Sequence, residues 1–327
     1  MSSPKLSVIL ANYNVPADRF TSYPGVHLDI FGQIEAAGKQ GIVKGVELIM
    51  GEGPDCINYK NRQDVKAALD VYGIEPIAIL PITWGTDFVK GSLGAGDPVT
   101  RQKAIDLVKS AMDFAAEMNC PYVGQWPGQD GWDYFFEVDY QQLYETWVTG
   151  MQVLADHNPS IKLGIEPKPY EPRSFSFINT ATKTLMLIRD IDRPNVGLTL
   201  DIGHSLYGHE SLAEVVALAQ MHGKKLFHLH MNDNYSDMDW DMAFGSVNFL
   251  RHVEFIYWLI RTGYDGWHSV DIFPYRTNPA DTIFESMKWI ESYYEFVEKI
   301  GMKKLAGLIE QSDSIAMMRF FRELMFR

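Results

Sequence analysis

Cysteine is scarce: Cys56 and Cys120 are the only two in 327 residues. Two isolated thiols give no disulfide framework and no cysteine zinc motif, and they suit a reducing compartment. Basic residues are also in the minority, with 29 lysines and arginines against 42 aspartates and glutamates. The net charge of -13 repels a phosphate backbone, which argues against nucleic acid as a partner. No uninterrupted apolar run reaches the ~18 residues that mark a membrane-spanning helix. The opening MSSPKLSVILANYN has neither a charged leader nor a long apolar core, so a cytoplasmic protein without membrane contact is expected. Linkers, low-complexity runs and shifts of composition are missing as well. No GxGxxG follows the first apolar run, which speaks against a doubly wound dinucleotide fold.

What the chain does have is alternation. Apolar runs at 6–11, 45–50, 75–81, 121–126, 161–166, 196–201, 225–231 and 267–271 read as strands. Helical patterns follow them at 27–38, 61–72, 98–118, 140–156, 181–189, 212–221, 249–261 and 279–298, with Pro98 and Pro279 at two helix starts. Eight strand-helix units predict an α/β protein with a (β/α)8 TIM barrel over residues 1–300. Residues 301–327 lie beyond the eighth unit and form an apolar helical extension rich in Leu305, Leu308, Ile315, Met318, Phe320 and Phe321. That tail either caps the barrel's own surface or forms a subunit contact in a dimer or tetramer.

Catalytic groups of such a barrel sit at the C-terminal ends of its strands. Strand five runs into Glu166, strand six ends in Asp201, strand seven in His230 and strand eight in Asp271. Four consecutive strands thus deliver three carboxylates and an imidazole to one level, a donor set for a hard to borderline divalent cation. Beside them, Pro167 and Pro169 stiffen the backbone on either side of Lys168, and strand alternation points Lys168 the same way as Glu166. A surface salt bridge at a strand end is the plainer reading of that pair. A second set lies close by: His204, three residues after Asp201, and Asp239 and Asp241 in the loop after strand seven. With Asp201 shared, these could hold a second ion. Five carboxylates, Glu166, Asp201, Asp239, Asp241 and Asp271, would repel one another alone, whereas two divalent cations and Lys168 balance them. An acidic solvated turn is the alternative for Asp239 and Asp241.

The motifs EPKPYEPR, LDIGH, LFHLHMN, DMDWDMAFG and VDIFPYRT, in this order, resemble xylose isomerase, with similarity reaching back to about residue 80. The resemblance implies one metal on Glu166, Asp201, His230 and Asp271 and a second on Asp201, His204, Asp239 and Asp241. It also implies that Lys168 binds a substrate oxygen and that Trp126 walls the sugar. Xylose isomerases carry Glu where this chain has Asp201 and Asp where it has His230, so the ligand pattern is more similar to the L-rhamnose isomerase branch. No match to the ring-opening histidine occurs near Glu47 to Cys56.

The implied reaction is aldose–ketose isomerisation of a free pentose or deoxyhexose. Two divalent cations, Mn²⁺ first with Mg²⁺ or Co²⁺ as alternatives, would act as Lewis acids during a 1,2-hydride shift. Lys168, His204, Asp239 and Asp241 are the expected catalytic groups. Rival readings are a single-metal ketose epimerase with an enediol intermediate, and a keto-sugar lyase or hydratase. Trp84 and Trp126, in loops at the barrel mouth, are candidates for packing on a sugar ring, with Asn12 and Tyr13 as further contacts. His228 should point inward as a hydrogen-bonded support, and Glu47 as a paired buried carboxylate. His209, His222, His252 and His268 are assigned to structure or surface. The glycine-rich loop 91–96 lacks the lysine-serine pair of a phosphate cradle, which favours an unphosphorylated sugar.

Overall fold

The computed structural model describes residues 3–14 and 27–326. Eight parallel strands close into a barrel: Lys5–Ile9, Gly45–Met50, Glu75–Pro81, Tyr122–Gln125, Lys162–Ile165, Val196–Asp201, Leu226–Met231 and Trp267–Val270. They follow chain order around the barrel, and the first pairs with the eighth, Lys5 opposite Trp267 and Val8 opposite Val270. The expected (β/α)8 barrel is therefore the fold. Alternation along the strands sorts the side chains. Val8, Val46, Leu48, Leu163, Leu198, Leu200 and Leu229 are buried in the hydrophobic core. The alternate positions Ser7, Glu47, Thr199, His228 and Ser269 are polar yet fully buried.

Helix boundaries follow local chemistry. Asp97 accepts hydrogen bonds from Val99 and Thr100 backbone N–H groups, with Pro98 opening Pro98–Glu117. Asn278 caps Pro279–Ile300 in the same way, and Asp139 caps Tyr140–His157. Such caps each contribute about 1 kcal/mol. Gly41, Gly73 and Gly263 close three helices in the left-handed conformation that suits glycine.

Four features depart from the periodicity. The first strand ends at Ile9, because Leu10–Asn14 winds into a 3-10 turn. The following helix starts at Ile30, where Asp29 caps Gly32. A short helix, Ile202–Tyr207, follows the sixth strand directly. Finally, Gly131–Trp132 pairs antiparallel with Phe175–Ser176, joining the loops after strands four and five. The tail forms two helices, Met302–Gln311 and Ser314–Met325. The first buries Leu305, whereas the second buries no residue fully and leaves Ile315 and Met318 exposed. Among the described residues, no helix is long and apolar enough to cross a membrane.

Tyr122 crosses the lumen beneath the rim, and its hydroxyl bonds Thr199 Oγ1. It fits there because position 164 has no side chain: a Cβ on Gly164 would lie 1.4 Å from the Tyr122 hydroxyl oxygen. Gly124 is different, since its Cβ would meet only the tip of Leu80 at 2.6 Å. Gly164→Ala is expected to destabilise the fold by at least the ~1–3 kcal/mol of an overpacked core, and Gly124→Ala by less. Urea unfolding of the two variants side by side measures the difference. Equal midpoints would refute this account of Gly164.

Candidate active site

Register brings the strand ends together. Asp201 lies opposite His230, and His230 opposite Ser269, two residues before Asp271. Glu166 follows the fifth strand and donates its backbone N–H to Gln125 at 2.9 Å. One potential ligand atom from each of Glu166, Asp201, His230 and Asp271 lies within 4.8 Å of all the others. His230 Nδ1 is at the centre, 3.4 Å from Glu166 Oε1, 3.3 Å from Asp271 Oδ2 and 3.9 Å from Asp201 Oδ2. This nitrogen is buried and makes no hydrogen bond.

Asp201 has two tasks. Its Oδ1 accepts the backbone N–H of His204 at 2.9 Å, capping the short helix. Asn232 Nδ2 then grips both of its oxygens, at 3.1 and 3.0 Å. The cap starts the turn that carries His204, so strand six brings two candidate site residues to the rim instead of one. His204 Nδ1 lies 3.0 Å from the Pro167 carbonyl oxygen, and Nε2 lies 3.0 Å from Asp239 Oδ2. Lys168 Nζ reaches the same Asp239 oxygen at 2.8 Å and Glu171 Oε2 at 3.2 Å. Asp239 Oδ1 is buried without a hydrogen-bond partner. Asp241 stands in the cavity wall with φ of 45°, a left-handed conformation that aspartate tolerates better than most residues.

The cavity measures 380 Å³. Glu166, Lys168, His204, His230, Asp239, Asp241 and Asp271 line one part of it, and Ile9, Ile49, Leu80, Trp84, Trp126 and Phe273 supply apolar wall. Trp84 and Trp126 pack edge to face at 5.6 Å, and Lys168 Nζ sits 5.5 Å from the Trp126 ring centre. Of the eight residues expected as ligands or catalytic groups, seven line one cavity, and Asp201 lies against them, 3.9 Å from His230 Nδ1. The first metal set converges. In the second, Asp239 meets His204, but Asp201, His204, Asp239 and Asp241 do not form a convergent ligand group among the described residues.

Electrostatics divide the acids. Burial raises Asp201 and, aided by Asp239 and Asp271, raises Asp241 well above the usual carboxylate range. Burial also pushes Asp271 up to about 7, even against His230. For Glu166 burial acts upward, but His230 and His204 outweigh it and hold the carboxyl low. Asp239 is held low in the same manner by His204 and Lys168. Burial would depress His204, yet Asp201 and Asp239 lift it to about 9.

Several other expectations resolve clearly. His228 Nε2 lies 2.8 Å from Glu47 Oε1 beneath the rim, so both are paired inside the lumen as expected. Asn12 lines the cavity and donates to the Ile272 carbonyl at 2.8 Å. Tyr13 does not: it is buried in the core and donates to Gln40 Oε1 at 2.8 Å, because the 3-10 turn rotates it away. His252 and His268 are buried beside Asp233 and Tyr294, away from the cavity. The glycine-rich loop already has an anion. Asp130 accepts from the backbone N–H groups of Ser92 at 2.6 Å and Gly94 at 3.1 Å, where a phosphate would have to bind. Sequence reasoning missed Asn232, Glu171, Asp55 and Phe273. Asn232 follows the seventh strand directly, and Glu171 and Phe273 stand within motifs already singled out. Asp55, in the cavity wall, has no sequence signal.

The buried, unbonded His230 Nδ1 facing carboxylate oxygens, and the unbonded Asp239 Oδ1, fit a divalent cation. The comparisons agree with this architecture. A family model described as xylose isomerase-like TIM barrel matches residues 34–293. The chain belongs to that family. Xylose isomerase from Thermus thermophilus is 27% identical over 226 residues, 67% of this chain and 58% of that enzyme, so this chain aligns with little more than half of its relative. In fold, the chain resembles D-psicose 3-epimerase from Clostridium cellulolyticum, with a TM-score of 0.68, 16% identity and coverage of 90% and 99% of the two chains. It also resembles 3-keto-D-glucoside 4-epimerase from E. coli, with a TM-score of 0.65, 17% identity and coverage of 83% and 97%.

Should the four converging groups hold a divalent cation, removing the Asn232 grip on Asp201 would loosen it. Asn232→Ala is expected to weaken Mn²⁺ binding by ~10–100-fold, as outer ligands of metal sites do. Calorimetric titration measures this, and an unchanged affinity would show that Asp201 is held well enough by its cap.

The shifted groups also predict a pH effect. Asp271 binds its proton more tightly folded than unfolded, so its stabilising contribution is present at low pH and is lost as pH rises through about 7. His204, raised to about 9, contributes below its unfolded value and loses that contribution as pH climbs through about 9. Both signs agree: the metal-free protein should melt several degrees lower at pH 9 than at pH 6. Mn²⁺ should reduce the difference, because cation binding displaces the protons. Melting curves with and without chelator provide the check, and a metal-free melting temperature rising with pH would contradict it.

Proposed function

We propose that this protein is a metal-dependent aldose–ketose isomerase of a free monosaccharide, of pentose or deoxyhexose size. The observation that carries the reading is Lys168, whose ammonium stands 2.8 Å from Asp239 in the same cavity as the four converging ligands. Burial acts to lower the Lys168 pKa, but Asp239, Asp241 and Glu171 raise it well above the ordinary value, so it stays charged. A charged donor there can stabilise negative charge on a sugar carbonyl oxygen. When bound, divalent cations on Glu166, Asp201, His230 and Asp271, and on Asp201, His204, Asp239 and Asp241, supply Lewis-acid polarisation of the sugar oxygens. Mn²⁺ suits this oxygen-rich set, with Mg²⁺ and Co²⁺ as alternatives.

The chain's own groups have separate tasks. Lys168 orients the carbonyl end. Asp239, whose buried Oδ1 makes no hydrogen bond, can accept the hydroxyl proton and return it to the other reacting oxygen. Trp84 and Trp126 pack on the apolar C–H side of the sugar and exclude water. Among the described residues lining the cavity, Lys168 is the only lysine or arginine, and Asp239 and Glu171 already face it. A neutral sugar fits this wall better than a phosphorylated one. The volume of 380 Å³ falls in the range of about 300–1,000 Å³ common for small-molecule sites.

A second reading, a single-metal ketose epimerase with an enediol intermediate, draws on Asp271. Its carboxylate, at the end of the eighth strand and in the cavity wall, could exchange a carbon-bound proton with the substrate. One experiment separates the two. The protein is stripped with chelator, reloaded with Mn²⁺, and screened with aldoses and ketoses by NMR in D₂O. Aldose–ketose exchange with the migrating hydrogen retained is the expected result. Deuterium uptake with inversion at one carbon would favour the epimerase, and no conversion of any sugar would defeat both. Lys168→Met should lower kcat by roughly 10²–10³-fold if it stabilises charge in the transition state. Asp239→Asn and Asp241→Asn should abolish isomerisation and leave an epimerase largely active.

A further inference from the structure

The lumen below the rim holds a group that the proposed chemistry does not use. Glu47 comes from the middle of the second strand and is fully buried. Its Oε1 lies 2.8 Å from His228 Nε2, and both of its oxygens lie 3.4 Å from His230 Nε2. His228 and His230 are two residues apart on one strand, so both point inward. Their rings stand 5.4 Å apart at 88°, which aims both Nε2 atoms at one carboxylate. Glu47, His228 and His230 also form a second convergent group of potential ligands, sharing His230 with the first.

His230 therefore lies between two acidic groups. Nε2 faces Glu47, while Nδ1 faces Glu166, Asp271 and Asp201. A neutral imidazole has one N–H, and its position decides which nitrogen can ligate. With the proton on Nδ1, the Nε2 lone pair would point at the Glu47 carboxylate, and a buried charge would lose one of its two imidazole donors. Leaving a buried carboxylate short of donors is costly. With the proton on Nε2, Glu47 keeps both donors, and the Nδ1 lone pair is free. The structure fits the second arrangement, because Nδ1 makes no hydrogen bond.

We propose that Glu47 is a positioning residue for the cation site: together with His228, it fixes His230 as the Nε2–H tautomer and presents Nδ1 as the ligating atom. This rests on the metal-binding part of the proposed function and adds to it a carboxylate from the second strand that lines the same cavity. A carboxylate at the third corner of an imidazole–metal pair orients the ring and makes it a better donor. The pairing with His228 gives the carboxylate a second donor and keeps it from turning toward the rim.

The test uses this protein with its histidines labelled by ¹⁵N. Long-range ¹H–¹⁵N correlation on the Mg²⁺-loaded protein reads the tautomer of each ring directly. His230 is expected to carry its proton on Nε2, and a proton on Nδ1 would overturn the proposal. Glu47→Gln keeps the shape and removes the charge. It is expected to bind Mn²⁺ ~10–100-fold more weakly by calorimetry, the usual loss for such partners. Its His230 signal should show both tautomers, whereas a merely structural Glu47 would change stability and leave the tautomer alone. Glu47→Asp, which retains the charge, should recover part of the affinity. Wild-type protein that binds Mn²⁺ while Glu47→Gln binds it equally well refutes the positioning role alone. Wild-type protein that binds neither Mn²⁺ nor Mg²⁺ refutes the metal-dependent function and this role together. Should Glu47→Gln fail to fold, the wild-type tautomer still decides.

Discussion

The structure depends on the burial of several carboxylates at one rim of a closed barrel. Charge removed from water is costly unless partners surround it. The chain meets that cost with neighbours drawn from every side. Asp201 has Asn232 and the His204 backbone, Asp239 has Lys168 and His204, and Glu47 has His228 and His230. Asp241 and Asp271 have fewer such partners, and burial raises both well above the ordinary range. The imbalance is what one expects of a donor set organised around positive charge that arrives from outside the chain.

Asp201 ties the local and the global levels together. As the last residue of the sixth strand it belongs to the sheet, as a helix cap it begins the turn that offers His204, and as a buried carboxylate it joins the cluster. Changing its backbone would shift the position of His204 as well. Lys168 has a comparable place. Its backbone N–H is bonded to Ile178 and its ammonium to Asp239, so the loop after strand five is fixed against the loop after strand seven. These two contacts set the distance between the ammonium and the carboxylate.

The sequence was most legible where periodicity was strong. The strand 45–50 and the helix 212–221 are found at the expected bounds because alternation and amphipathic spacing are local properties. Legibility ended where very short elements depend on partners. Ile202–Tyr207 has six residues, too few for a periodic signal, and forms because Asp201 caps it at the barrel rim. The pair Gly131–Trp132 and Phe175–Ser176 has two residues per strand and exists only through contact between distant loops. Tyr13 was misread for a related reason, since a strand continued past Ile9 would have turned it differently from the 3-10 turn that is present.

For the site, the amino-acid order by itself determined the donor types and their place at strand ends, because residues two apart on a strand must share a face. Glu166, Asp201, His230 and Asp271 follow from that rule. Tertiary structure alone decided which atoms meet. Only closure of the barrel brings Glu47 within reach of His228 and His230, 181 and 183 residues later, and only loop packing brings Lys168 to Asp239. Such distances come from register and curvature of the whole sheet, which no local run of residues contains.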